Sequence, residues 1–211
     1  MTAIQTKIRE LQLQIARCKN EQAFSALFRL LYDRLLRFCI QYVDSREAAE
    51  EIVSDVFVKL WNRRRELESI ANLEVYLFVA VKNHSLNYIQ QFSSLRITPL
   101  DNGMSQLTAP ADPEKEMEWK EMHLKLDQEV NRLPDQCRKV FRLIRDEGFR
   151  YKDVAVILNI SPRTVETQLF RAIRRLNEAI APFLSVKPGK KKEPPATLWL
   201  LLLADIFLNG L

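Results

Sequence analysis

Residues Arg150–Leu176 read RYKDVAVILNISPRTVETQLFRAIRRL, and this stretch decides the fold of its half of the chain. Lys152 to Leu158 places Val154, Ala155, Ile157 and Leu158 on the inner side of a short helix. Asn159-Ile160-Ser161 is a turn. Ser161 serves as N-cap and Pro162 as the first helical residue, where a fixed φ and a missing N–H cost nothing. The helix that follows is expected to bury Val165, Leu169, Ala172, Ile173 and Leu176. A short helix, a tight turn and a longer basic helix fit the DNA-binding helix–turn–helix, with Ala155 small enough for a close helix crossing. The outward side of the second helix carries Arg163, Thr164, Glu166, Thr167, Gln168 and Arg171, whose hydrogen-bonding groups suit base edges and phosphates. Arg174 and Arg175 come a turn later, placed for phosphate or for a partner.

Just upstream, Pro134-Asp135 opens a helix over Cys137 to Glu147 that stops at Gly148. Another helix is expected from Trp119 to Leu133. From Arg132 to Arg175 there are eleven Lys/Arg and five Asp/Glu, net +6, more than the +5 of the whole 211-residue chain. That balance permits a polyanionic partner such as nucleic acid. Residues 93–118 differ: they hold Pro99, Gly103, Pro110 and Pro113, and two basic residues against five acids. They read as an acidic linker.

Residues 1–98 contain neither Gly nor Pro. All-β folds need turn residues at short intervals, so a sandwich or barrel is excluded there. The four glycines of the chain also fit neither GxGxxG nor GxxxxGK[ST], which removes the Gly-rich phosphate loops. The expected class is all-α: two small helical domains joined by the linker. Residues 1–21 give a leading helix, and Phe24, Leu27, Phe28, Leu31, Leu35, Phe38 and Tyr42 a second helical stripe. Asp44-Ser45 caps a third helix with Ala49, Ile52, Val53, Val56, Phe57 and Leu60 inside and Glu50, Glu51, Ser54, Asp55 and Lys59 outside. Arg63, Arg64 and Arg65 close it with positive charge. A polar segment, Glu66 to Asn72, is expected to supply flexibility before a helix over Leu73–Phe92 with Val75, Leu77, Phe78, Val81 and Leu86 in the core.

Two more surfaces suggest themselves. Trp61, Tyr76, Phe78 and Tyr88 are interleaved with Arg63 to Arg65, Lys82, Asn83, His84 and Asn87, a mixture that suits unpaired bases, although core packing accounts for such aromatics as well. The acidic face of residues 46–61 is either a solvated face or a docking surface for a basic partner. Cys18, Cys39 and Cys137 form no CxxC pair and read as buried, reduced thiols of a cytoplasmic protein. No metal site, cofactor or small-molecule substrate is expected, and no acid/base dyad or nucleophile motif supports an enzyme. The N-terminus lacks the apolar region of a signal peptide. The tail, residues 185–211, is basic and Pro-broken at Lys187 to Pro195 and apolar from Thr197. Its apolar run is shorter than the about 20 residues a membrane span needs and holds Asp205.

The stretches AFSALFRLLYDRLLRFCIQYV, SREAAEEIVSDVFVKLW, LFVAVKNHSLNYI and LPDQCRKVFRLIRDEGFRYKDVAVILNISPRTVETQLFRAIRRL, in that order, resemble the bacterial extracytoplasmic-function (ECF) sigma factors. The resemblance implies a region 2-like domain at 22–92 and a region 4-like domain at 119–184. Glu50, Glu51, Asp55 and Lys59 would dock on the clamp of the polymerase β′ subunit, and the second domain would meet the β flap. Residues 62–72 and the helix after them would open the −10 element, with Lys82, Asn83, Asn87, Trp61, Arg63 and Arg64 as contacts. Arg163, Thr164, Glu166, Thr167, Gln168, Arg171, Arg174 and Arg175 would meet the −35 element. Core RNA polymerase, promoter DNA and an anti-sigma factor would be the partners. The tail resembles a Bacteroidetes subgroup. A stand-alone helix–turn–helix regulator with residues 22–92 as a sensor is the alternative, distinguished by tight DNA binding without polymerase.

Overall fold

The asparagine at position 20 shows how the first helices are laid down. Its side-chain oxygen accepts from the Ala23 amide at 3.0 Å, capping a helix that starts at the next residue. In the computed structural model residues 3–92 and 124–184 are described, and among them there is no strand. The linker at 93–118, the expected helix start at Trp119 and the tail at 185–211 lie outside the described residues. The chain divides into two compact units.

The first unit holds α1 (Ala3–Cys18), α2 (Glu21–Cys39), α3 (Arg46–Asn62) and α4 (Leu73–Phe92). Leu27, Leu31 and Leu35 follow the helical period along α2 and are fully buried, each stabilising the fold by about 1.5–3 kcal/mol. Phe38 meets Phe78 of α4 with ring centres 5.0 Å apart. Between the same helices Arg34 pairs with Glu74 at 2.5 Å, both side chains largely buried. Ser45 caps α3 as expected, its Oγ accepting from Ala48 N at 3.2 Å. Tyr42 lies in the turn after α2 rather than on the helix. The leading helix is no appendage: Ile8, Leu11 and Ile15 of α1 are buried in this unit's core.

Three expectations need correction. Residues 66–72 are not a loose polar stretch, because Arg64–Ser69 forms a 3-10 helix with Leu67 buried. Leu86 is not core but 41% exposed. Cys18 is exposed, while Cys39 and Cys137 are buried; all three are free thiols.

The chain after the linker forms α5 (residues 124–131), α6 (Asp135–Arg145), α7 (Tyr151–Leu158) and α8 (Pro162–Leu184), all in the second unit but for Val156–Leu158. α6 ends at Arg145, two residues short of the expected Glu147, and Gly148 follows with φ +69, the left-handed conformation that suits glycine. α7 ends with Asn159 at φ 56 and the Ile160 amide bonded to the Ala155 carbonyl at 3.0 Å. That bond satisfies a carbonyl left open at the helix end. Ser161 Oγ then accepts from Thr164 N at 3.0 Å, so α8 begins at Pro162. Val154, Ala155, Ile157, Val165, Leu169, Ala172 and Leu176 are buried; Leu158 and Ile173 are half-buried.

Candidate nucleic-acid interface

α8 presents one continuous outward stripe. Arg163, Glu166, Thr167, Phe170, Arg171, Arg174 and Arg175 are all exposed, at the three- and four-residue spacing that aligns side chains on a helix. Two expected members are turned elsewhere. Thr164 is half-buried, its hydroxyl 2.8 Å from that of Ser161. Gln168 is half-buried too, and its side-chain oxygen accepts from Cys137 Sγ of α6 at 3.0 Å. Burial pushes the Cys137 thiol up, while the nearby Arg175 and Arg171 guanidinium groups pull it down. Burial likewise raises the Tyr151 phenol, helped by the Glu166 carboxylate, which ties the start of α7 to the stripe on α8. Phe170 was missed by the reading of polar groups alone. It is 71% exposed, on the same stripe as Glu166 and Thr167, and an aromatic there can meet a thymine methyl in a major groove. Its position in the stripe, rather than its chemistry, was the signal.

The second surface joins the end of α3, the 3-10 helix and α4. Arg63, Asn83 and Asn87 are exposed. Arg63 also pairs with Glu66 at 2.6 Å. The other three expected contacts are engaged in packing. Trp61 packs against Phe24 with ring centres 4.9 Å apart and the rings tilted by 57°. Arg64 lies over that indole, 4.9 Å from its centre, and donates to the Trp61 carbonyl at 2.9 Å. Lys82 is only 8% exposed, and its burial lowers the ammonium pKa. Lysine reaches such sites by burying its aliphatic stem. Tyr76 is exposed, Phe78 fully buried and Tyr88 half-buried, so the aromatics divide between surface and core.

The third surface is the outer side of α3. Glu51, Asp55 and Lys59 are exposed with Val58 among them. Glu50 is half-buried and accepts from Arg46 Nε at 2.8 Å. Lys59 Nζ lies 3.3 Å from His84 Nε2 of α4. Burial and the Lys59 charge hold the His84 imidazole below its usual pKa, with Asp55 pulling the other way.

Sequence reading missed one contact set altogether. Gln12 Nε2 of α1 donates to the Leu67 and Ile70 carbonyls at 2.5 and 2.8 Å. No local signal announces such a pair. Among the described residues no group of His, Cys, Asp and Glu is arranged to hold a metal ion, and no helix is long and apolar enough to cross a membrane.

The sequence matches Sigma-70 region 2 over residues 27–93 and Sigma-70, region 4 over residues 123–176. It is 22% identical over 173 residues to the RNA polymerase sigma-H factor of Pseudomonas aeruginosa, covering 78% of this chain and 90% of that protein. With the ECF RNA polymerase sigma factor SigM of Bacillus subtilis it is 23% identical over 152 residues, 71% of this chain and 90% of the other. A solved complex of the sigma factor RpoE with the anti-sigma factor NepR, from Bartonella quintana, gives a TM-score of 0.53 at 23% identity. That match covers 75% of this chain and 96% of the other, and it is a likeness of fold.

Proposed function

Because the chain belongs to the ECF RNA polymerase sigma factors and so directs core RNA polymerase to promoters, we propose a division of that work between its two units. The second unit reads duplex DNA at the −35 element. Arg163, Arg174 and Arg175 meet phosphates, while Glu166, Thr167, Phe170 and Arg171 meet base edges. A Glu accepts from cytosine, and an Arg donates to guanine. Gln168 and Thr164 support this surface from inside. The first unit holds the melted −10 element. Arg63, Asn83 and Asn87 bind it directly, and Trp61, Arg64 and Lys82 hold the local structure. Glu51, Asp55 and Lys59 of α3 dock on the polymerase clamp, with Glu50 oriented by Arg46. The β flap receives the second unit.

The observation that carries this reading is the outward stripe of α8, set on a helix whose start is fixed by Ser161 and Asn159. The chain does no chemistry itself; polymerase does. Its place of work is the cytoplasm, where polymerase is, and an anti-sigma factor of the kind bound in the RpoE complex is a further partner.

The test is transcription in vitro with purified core polymerase and a promoter library. The expected result is promoter-dependent initiation, co-elution with core, and weak binding of the free chain to the same duplexes. Absence of initiation together with absence of co-elution overturns the reading. Tight, sequence-specific binding by the free chain would instead support a stand-alone regulator.

A further inference from the structure

The 3-10 helix Arg64–Ser69 is short and is tied down from outside as well as from within. Runs of this helix beyond three or four residues are uncommon because their hydrogen bonds are poorly aligned. Inside the segment the Ile70 amide bonds to the Leu67 carbonyl at 3.1 Å, and Ser69 Oγ donates to the Glu66 carbonyl at 2.7 Å. From the end of α3, the Arg63 carbonyl accepts from the Glu66 amide at 2.9 Å and the Trp61 carbonyl from Arg64 Nη1 at 2.9 Å. Further fasteners come from α1. Gln12 is 1% exposed, and its one amide nitrogen serves both Leu67 O at 2.5 Å and Ile70 O at 2.8 Å. A carboxamide has two N–H groups, so each is spent on one carbonyl. Arg9 Nη1 adds a bond to the same Ile70 carbonyl at 3.2 Å, and Arg17 bonds Glu68 through Nε and Nη2 at 3.1 and 2.5 Å. These α1 residues lie ahead of the stretch matched to region 2, which starts at residue 27.

We propose that Gln12 is a positioning residue for −10 recognition: through the Leu67 and Ile70 carbonyls it holds the 64–70 segment in the shape that melted promoter DNA meets. Arg9 and Arg17 assist it. The inference rests on the proposed −10 role of residues 62–72. A segment already held in its binding shape does not have to be ordered when DNA arrives. The chemistry is particular to glutamine. Glutamate lacks the donors, methionine fills the volume but removes the Gln12 bond from each carbonyl, and asparagine is one methylene short.

The experiment uses holoenzyme reconstituted from core polymerase and the full chain, with one promoter panel varied only in the −10 element and another only in the −35 element. The readout is the ratio of initiation on the best promoter to that on its substituted versions. Gln12→Met is expected to lower the −10 ratio by about tenfold, leaving the −35 ratio and core affinity within about twofold. Hydrogen exchange of residues 64–72 should quicken while that of α2 does not. Arg9→Ala, which removes the bond to Ile70 and a positive charge near Glu68, should lower the −10 ratio less and fold normally, so it decides the matter if Gln12→Met does not fold. An equal loss on every promoter, or an unchanged −10 ratio in a folded variant, overturns the role of Gln12. A separate control, Arg63→Ala with Arg65→Ala, tests the segment itself. If the wild-type −10 ratio survives that control unchanged, the −10 reading of residues 62–72 falls and the role of Gln12 with it.

Discussion

Arg171 is exposed on α8 between Phe170 and Arg174, and its charge is felt by the Cys137 thiol behind it. A bidentate guanidinium–base pair discriminates by about 1–3 kcal/mol. Arg171→Ala should therefore lower initiation at a −35-dependent promoter by roughly 5- to 150-fold with an unchanged melting temperature. Equal activity at equal stability would remove Arg171 from the interface. Cys39 makes a different prediction. It is fully buried with Sγ 3.2 Å from Ser85 Oγ, and burial pushes its pKa from 9.0 up to about 11, against the opposing pull of Ser85. The unfolded thiol ionises first, so the unfolded chain binds fewer protons above pH 9 and stability falls as pH rises from 9 towards 11. The loss is on the order of 2–3 kcal/mol. It is checked by denaturant titration against Cys39→Ala, in which that part of the pH dependence should vanish. At this scale the sequence was readable where chemistry is local, as at the caps Ser45 and Ser161. It was not readable along Val75 to Val81, where nearly every residue is apolar. Such a run does not say which side of the helix faces in, hence a buried Lys82 and an exposed Leu86.

Elements are fixed by their ends and by what ties them to neighbours. The α7–α8 turn depends on Asn159 in the left-handed region at φ 56. Glycine adopts that conformation freely, asparagine tolerates it, and a β-branched residue is strained by about 1–2 kcal/mol. Asn159→Val should lose that much stability and weaken −35 binding, while Asn159→Gly stays close to wild type, as denaturant midpoints would show. α2 and α4 are tied by the buried Arg34–Glu74 pair. Removing one partner leaves a buried charge, so Glu74→Ala should cost about 3–5 kcal/mol, and the apolar double variant Arg34→Met with Glu74→Leu should recover most of it. The 3-10 helix was the element least visible in the sequence. One of its fasteners, Gln12, stands 55 positions from Leu67, and no window of neighbouring residues contains both.

For the whole molecule, charge and order decided more than any motif alone. The net +6 between Arg132 and Arg175 falls on the unit with the exposed stripe. Duplex binding by the free chain should accordingly weaken with salt, log K falling by about 0.9 per phosphate contact for each unit of log salt concentration. Arg175→Ala should flatten that slope by about one contact without changing sequence preference, which filter binding or anisotropy would measure. On the proposed division of work, polymerase presents both units to one promoter and so turns two weak contacts into one strong one.

The indole of Trp61, in contact with both a phenyl ring and the Arg64 guanidinium, has an optical consequence. Arg64 belongs to the 3-10 helix and Trp61 to the end of α3, so any rearrangement of that helix slides a cation across a chromophore. Emission from Trp61 is thus a built-in gauge of the segment. With Trp119 and Trp199 replaced by phenylalanine, its colour and brightness would follow movement of the segment in real time, with no dye attached.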